Sequence, residues 1–178
     1  MSQLPELSSR RKFLAQSSAT VATFFIVPRF VLGGRGYTAP SDQLVVAGVG
    51  VGGKGESDLA MFAKTGKVRI AYLCDVDDRR AAGAVRAYPQ AKYYKDWRQL
   101  LDKESKNFDA VSIATPDHNH ANVTLAAMQL GKHVYVQKPL THDIQEARAL
   151  TEAAKRYKVV TQMGNQDASG DGVRQMQE

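Results

Sequence analysis

The chain has 178 residues, 43% of them hydrophobic, and a formal net charge of +6. This length accommodates one ordinary domain and a short extension, but not two full domains. Residues 1–40 hold five basic residues and one acidic residue, a net of +4, which leaves 19 basic and 17 acidic residues and a net of +2 for residues 41–178. This near balance, without a basic stripe carrying interleaved aromatic residues, argues against nucleic-acid binding.

The amino-terminal segment is typical of an export signal. Residues 9–14 (SRRKFL) are similar to the twin-arginine motif, and a mildly apolar run follows at residues 19–27. This run is shorter than the roughly 20 apolar residues that a membrane-spanning helix needs. We therefore interpret residues 1–41 as a twin-arginine signal peptide and linker, and expect a periplasmic or otherwise exported protein that engages the twin-arginine export machinery. A disordered basic tail and an amphipathic anchor stay open as alternatives.

A strand pattern followed by closely spaced glycines opens the next segment. Residues 43–49 (QLVVAGV) predict a buried strand, and residues 50–55 (GVGGKG) supply the pattern G-x-G-x-x-G where this strand turns into a helix. A second frame that begins at Gly48 also fits the pattern. We prefer the later frame, because the earlier one shortens the strand and leaves Gly55 without a purpose.

Each glycine of this turn has a physical reason. Gly50 makes the tight turn, Gly52 lets backbone N–H groups approach a pyrophosphate, and Gly55 allows the helix to pack closely on the strand. Phosphates then lie at the amino terminus of a helix, where unpaired N–H groups and the helix dipole favour negative charge. We therefore predict that Gly50, Gly52, Gly53 and Gly55 bind a dinucleotide.

An acidic residue at the end of the next strand points to the identity of the dinucleotide. Residues 67–74 (KVRIAYLC) predict a second strand, which ends at Asp75. A carboxylate at this place accepts hydrogen bonds from the adenosine ribose hydroxyls, which favours NAD over NADP. A flexible glycine loop and a helix-capping Asp75 are the alternatives to this interpretation.

Strand and helix patterns alternate through the rest of the chain. Helices are predicted at residues 53–63, 77–87, 97–101, 119–130 and 143–157, and further strands at residues 91–94, 110–114, 133–136 and 159–163. Such alternation is typical of parallel strands with helices on both faces. The predicted fold class is α/β, a doubly wound parallel sheet of the Rossmann type.

Four separate segments carry a family resemblance. They are residues 73–77 (LCDVD), 114–120 (ATPDHNH), 131–140 (GKHVYVQKPL) and 161–166 (TQMGNQ). In this order and together with the glycine turn, they resemble the amino-terminal half of the glucose-fructose oxidoreductase, inositol dehydrogenase and rhizopine-catabolism (Gfo/Idh/MocA) family. The resemblance extends over residues 42–178.

The resemblance implies an NAD-dependent oxidoreductase that acts on a sugar or polyol hydroxyl, with the nicotinamide at the carboxyl ends of the strands. Lys138 matches the lysine of the family's Glu-Lys-Pro motif and is the implied catalytic residue, which orients the substrate and handles a proton. Gln137 departs from the motif, because a neutral amide keeps hydrogen bonding but loses the charge of the usual glutamate. The implied cofactor contacts are Thr115, Pro116, His120, Gln137, Pro139 and Gln166. No metal site is expected, since His118 and His120 lack further ligand spacing.

Members of this family have a second α+β domain that contacts the substrate. We therefore expect residues 42–166 to form the dinucleotide-binding domain and residues 167–178 to begin the connection to a substrate domain absent from this chain. The complete protein is expected to be a homo-oligomer. An NAD-dependent glycosidase of the same fold and a non-catalytic dinucleotide-binding module remain alternatives to the oxidoreductase.

Overall fold

The computed structural model describes Ala39, residues 42–166 and residues 171–176. The twin-arginine motif predicted at residues 9–14 lies outside the described residues. Residues 40–178 group into one compact unit. Within the described part of the chain, no helix is long and apolar enough to cross a membrane.

The sheet contains six parallel strands, in the spatial order β3-β2-β1-β4-β5-β6. The strands are β1 (Leu44–Val49), β2 (Val68–Cys74), β3 (Lys92–Tyr94), β4 (Ala110–Ile113), β5 (His133–Gln137) and β6 (Thr161–Gly164). The chain adds strands on one side of β1 up to β3 and on the other side from β4 onward. The strand order therefore reverses between β1 and β4, which confirms the predicted doubly wound sheet.

The helices are α1 (Lys54–Lys64), α2 (Asp78–Ala87), α3 (Trp97–Glu104), α4 (Asp117–Gln129), α5 (Ile144–Tyr157) and α6 (Asp171–Gln175), and a short 3₁₀ helix covers Ser105–Asn107. Aspartate side chains cap three of them by accepting a hydrogen bond from a backbone N–H group of the first turn. These caps are Asp77 on α2, Asp96 on α3 and Asp143 on α5.

Two apolar cores cover the two faces of the sheet. One contains Leu100 of α3, Val123 of α4 and Leu150 of α5, and the other contains Leu59 of α1 and Ala81 of α2. Neighbouring residues of β1 point to opposite cores, as the two-residue period of a strand requires. Because helices cover both faces, the carboxyl ends of the strands are the natural place for a ligand.

Three predicted boundaries were wrong by two residues or more. Helix α3 ends at Glu104 rather than at residue 101, because Tyr94 and Lys92 hydrogen-bond the Glu104 carboxylate and hold the last turn. Helix α4 begins at Asp117 rather than at residue 119, because Pro116 occupies the N-cap position and an acidic residue in the first turn favours the helix amino terminus. His120, a predicted cofactor contact, therefore lies within α4, whereas Thr115 and Pro116 precede it. Strand β6 begins at residue 161 rather than at 159, because Lys158 ends α5 in the left-handed conformation, with φ of 54°, and Val160 is 69% exposed.

Glu104, the last residue of α3, fastens this helix to the edge strand β3. Its carboxylate accepts hydrogen bonds from Tyr94 Oη at 2.6 Å, from Lys92 Nζ at 3.0 Å and from Asn107 Nδ2 at 2.9 Å. These hydrogen bonds hold the pKa of Glu104 at about 2, well below its ordinary value. The ionised carboxylate anchors one end of α3, and Trp97 lies at the other end.

Candidate cofactor-binding site

A cleft of about 810 Å³ opens at the carboxyl ends of the central strands. Its lining comes from the turn after β1, the end of β2, the start of α2 and α3, and the loop between β4 and α4. The lining residues include Gly50, Gly52, Cys74, Asp75, Arg80, Trp97, Thr115 and Pro116. The cleft lies where the strand order reverses, the position that ligands occupy in open α/β sheets.

Three glycines at the turn after β1 leave no room for a side chain. Gly50 has φ of +76°, and a Cβ atom there would lie 2.6 Å from the backbone of Ala114. A Cβ atom on Gly52 would lie 2.8 Å from Arg80 Cβ, and one on Gly55 would overlap the carbonyl oxygen of Gly50. Glycine thus occupies three of the four positions between β1 and α1, and the fourth side chain, that of Val51, is buried in the core. The turn therefore presents mainly backbone, which is the surface that a pyrophosphate needs.

Asp75 holds this turn in place. Its Oδ2 atom accepts hydrogen bonds from Val51 N at 2.9 Å and Gly52 N at 3.2 Å, and its Oδ1 atom accepts one from Asp77 N at 3.0 Å. An ionised carboxylate has about four acceptor positions, so these three bonds leave one for a ligand hydroxyl. The predicted ribose contact and this bracing of the turn are compatible with each other.

The loop after β4 presents a buried hydroxyl without a partner. Thr115 Oγ1 makes no hydrogen bond in the structure, although it is buried. An unpaired buried hydroxyl costs about 1 to 3 kcal/mol, which a polar ligand group can recover. Together with the bare glycine turn and Asp75, this hydroxyl fits a dinucleotide.

His120 joins two loops of the site. It is 1% exposed, and its Nδ1 and Nε2 atoms lie 2.6 Å from the carbonyl oxygen of Pro139 and 2.8 Å from that of Thr115. The loop after β4 and the turn after β5 are thereby held together. The structure thus places His120 on backbone groups of the loops that carry Thr115 and Pro139, both of which are predicted cofactor contacts.

Lys138 is exposed directly after β5, and the peptide bond to Pro139 is cis. Gln137, by contrast, is 5% exposed and hydrogen-bonds Asp58 and Gln166. The predicted residues therefore fall into two groups along the strand ends. Gly50, Gly52, Gly53, Gly55 and Asp75 lie near β1 and β2, whereas Thr115, Pro116, His120, Gln137, Lys138, Pro139 and Gln166 follow β4, β5 and β6.

Sequence reasoning missed Asp58 and Trp97. Asp58 is buried on α1, and an acidic residue next to Leu59 on a helix with an apolar face was its only signal. Trp97 is the single tryptophan of the chain and begins α3 after the Asp96 cap. The Arg98 guanidinium lies over the Trp97 ring, 4.5 Å from the ring centroid. Both residues line one side of the cleft.

Cys74 borders the cleft but is only 2% exposed. Burial, and secondarily the neighbouring Asp75 carboxylate, raises the pKa of its thiol to about 12. The thiol therefore remains protonated and unreactive near neutral pH. Among the described residues, no group of three or more His, Cys, Asp or Glu side chains could hold a metal ion.

Fold and site together define a dinucleotide-binding domain of the Rossmann type. Residues 44–165 match the family described as "Oxidoreductase family, NAD-binding Rossmann fold", and the chain belongs to this Gfo/Idh/MocA family. NAD is its cofactor. The resemblance found in the sequence is confirmed.

Three similar proteins illustrate the range of the family. Glycosyl hydrolase family 109 protein 1 of Bacteroides fragilis is 30% identical over 131 residues, which cover 68% of this chain and 28% of that protein. The crystal structure of myo-inositol 2-dehydrogenase from Lactobacillus plantarum has a TM-score of 0.68 at 25% identity, covering 75% of this chain and 40% of that one. The crystal structure of GenD2 from gentamicin A biosynthesis, in complex with NAD, has a TM-score of 0.64 at 26% identity, covering 78% and 37%. The chain spans 28% to 40% of the length of these three proteins.

The two tasks of Asp75 lead to a prediction about cofactor choice. Asp75→Ala removes the predicted acceptor for the ribose and loosens the Val51 and Gly52 amides, so NAD should bind about tenfold more weakly or worse. The affinity for NADP should fall less, because the Asp75 carboxylate of the unchanged chain repels the 2′-phosphate of NADP. Titration calorimetry of both cofactors checks this, with the exposed Asp102→Ala as control. Equal losses for NAD and NADP would refute the contact between Asp75 and the ribose.

Proposed function

We propose that this chain is the cofactor-binding part of an NAD-dependent oxidoreductase that acts on a hydroxyl group of a sugar or polyol. The observation that carries the proposal is the place of Lys138. This amine is exposed at the carboxyl end of β5, and His120 ties its turn to the loop that holds Thr115.

In this proposal the dinucleotide runs across the strand ends from β2 towards β5. Asp75 and Trp97 border the β2 end of the cleft, which suits adenosine, and the bare glycine turn in the middle suits the pyrophosphate. The nicotinamide end then falls towards β4 and β5, on the side of Thr115 and Lys138. When bound, NAD supplies a hydride acceptor there.

Lys138 has a chemical task at this end. Loss of a hydride from a carbinol carbon requires that the hydroxyl proton be taken away as well. Lys138 orients that hydroxyl by hydrogen bonding and takes part in the removal of its proton. Thr115 Oγ1, buried and unpaired, holds a polar group of the cofactor in the cleft.

We further propose that a second α+β domain supplies the opposite wall of the substrate pocket. The fraction of each relative that the chain covers, 28% to 40%, supports this. The test is NADH formation on a panel of hexoses, inositols and glycosides, measured with residues 1–178 and with the complete protein. We expect the chain alone to bind NAD without turnover and the complete protein to produce NADH. A complete protein that binds NAD but neither oxidises nor hydrolyses any member of the panel would contradict the proposal and favour a non-catalytic module.

A glycosidase that uses the same cofactor is the second candidate, because the Bacteroides fragilis relative is named as a glycosyl hydrolase. The same panel separates the two activities. A dehydrogenase accumulates NADH and an oxidised sugar, whereas a glycosidase releases a free sugar from the glycosides without net NADH. The Lys138-Pro139 pair supports the dehydrogenase.

We also propose that the protein is exported by the twin-arginine route, on the strength of residues 9–14 and the apolar run at 19–27. Changing Arg10 and Arg11 to lysine in the complete protein should retain it in the cytoplasm. Fractionation of cells that express the two forms measures this. Normal recovery of the changed form outside the cytoplasm would refute the proposal.

A further inference from the structure

Four polar side chains form a connected row beside Lys138. They are Lys54 and Asp58 of α1, Gln137 at the end of β5, and Gln166 after β6. Asp58 and Gln137, the two middle members, are each 5% exposed. Buried polar groups of this kind are costly unless every one is hydrogen-bonded.

Each neighbouring pair in the row has a donor that faces an acceptor. Gln137 Nε2 donates to Asp58 Oδ2 at 2.6 Å, and Gln166 Nε2 donates to Gln137 Oε1 at 2.8 Å. Lys54 Nζ pairs with the other oxygen of Asp58, Oδ1. The Asp58 carboxylate can only accept, so it fixes which way the Gln137 amide points.

The space around the Gln137 amide is closed as well. Gly164 lies opposite Gln137 in the β5–β6 register, and a Cβ atom there would lie 2.7 Å from Gln137 Nε2 and 2.7 Å from Tyr135 Oη. The Tyr135 ring packs edge-on against Phe62 of α1, with centroids 5.0 Å apart. The amide is therefore held by α1 on one side and by β6 on the other.

We infer that Asp58 is a positioning residue for the nicotinamide side of the site: it fixes the Gln137 amide and, through it, the turn that carries Lys138 and Pro139. This inference rests on the proposed function. It also accounts for the glutamine in the Gln-Lys-Pro motif. In the pair of Asp58 and Gln137, the carboxylate belongs to Asp58 of α1. Position 137 therefore needs a hydrogen-bond donor, which an amide supplies and a carboxylate does not.

The donor and acceptor pattern predicts a reciprocal exchange. Gln137→Glu alone sets a second carboxylate against Asp58, and Asp58→Asn alone offers one acceptor to the two donors Lys54 and Gln137. A flip of the Gln137 amide relieves part of the second conflict, so Asp58→Asn is the milder change. In the double variant, the new asparagine donates to the new glutamate and accepts from Lys54, and the glutamate accepts from Gln166. All the hydrogen bonds are then restored.

The experiment compares the affinities of the 178-residue chain for NAD and ADP-ribose, which lacks the nicotinamide, by titration calorimetry. We expect Gln137→Glu to lower the affinity for NAD about tenfold and Asp58→Asn to lower it less. The affinity of the double variant should return to within about threefold of that of the unchanged chain. ADP-ribose affinity should change by less than about twofold in all three. The exposed pair Asp102→Asn and Gln129→Glu, singly and together, is the matched control.

The outcomes separate the possibilities. A double variant no tighter than Gln137→Glu would overturn the pairing, and parallel losses of NAD and ADP-ribose would show a structural role only. If Gln137→Glu does not fold, Gly164→Ala displaces the same amide without a change of charge, and it should weaken NAD but spare ADP-ribose. Unaltered NAD affinity in Gly164→Ala would also overturn the inference. An unchanged chain that binds neither ligand would instead contradict the proposed function.

Discussion

Gly55→Ala should weaken the binding of NAD and ADP-ribose alike, by about 10- to 100-fold. The added methyl group would overlap the carbonyl oxygen of Gly50, and Ala114 Cβ would lie 3.2 Å away. The contact is with backbone, so no side chain can move aside. Overpacking of this kind costs about 1 to 3 kcal/mol, or about 5- to 150-fold in affinity when the turn itself binds the pyrophosphate, and the expected loss lies within that range.

Titration calorimetry of both ligands, together with thermal unfolding, measures this effect. Gly172→Ala is the matched control, because a Cβ atom there meets nothing within 4 Å. The result also differs in kind from that of Gln137→Glu, which should spare ADP-ribose. Undiminished affinity for both ligands in Gly55→Ala would show that the glycine turn does not bind the pyrophosphate.

The doubly wound sheet could be predicted from the sequence because its signals are local. Apolar runs of strand length, helical patterns between them and a glycine turn after β1 each lie within a few residues of one another. Two of the boundaries that were wrong have local causes too. A proline at the N-cap lets α4 begin at Asp117, and the left-handed Lys158 delays β6.

Contacts between distant segments could not be predicted in this way. Asp58 and Gln137 are 79 residues apart, and the sequence around either residue does not indicate the contact between them. The departure at position 137 was visible in the sequence, but its compensating carboxylate was not. Similarly, Asp75 was predicted at the ribose, whereas its bonds to Val51 and Gly52 appear only once β1 and β2 lie side by side.

Lys138→Met should abolish most of the turnover of the complete protein without loss of cofactor affinity. We expect kcat to fall about 10²- to 10⁴-fold, the range that positioned proton transfer contributes in enzymes. Methionine keeps the apolar stem and removes the amine. Because Lys138 is exposed at the end of β5, its replacement should leave the sheet and the glycine turn intact.

The measurement is NADH formation at saturating substrate, with NAD affinity determined separately by calorimetry. Lys64→Met, at the far end of α1 and exposed, is the matched control. Lys138→Arg divides the two tasks of the residue, because a guanidinium still orients a hydroxyl but cannot accept its proton. Loss of turnover in both Lys138 variants assigns proton transfer to Lys138, whereas recovery in Lys138→Arg assigns orientation alone. A Lys138→Met protein with undiminished kcat would place the proton acceptor elsewhere in the complete enzyme, and Lys138 would then be a surface lysine before a turn.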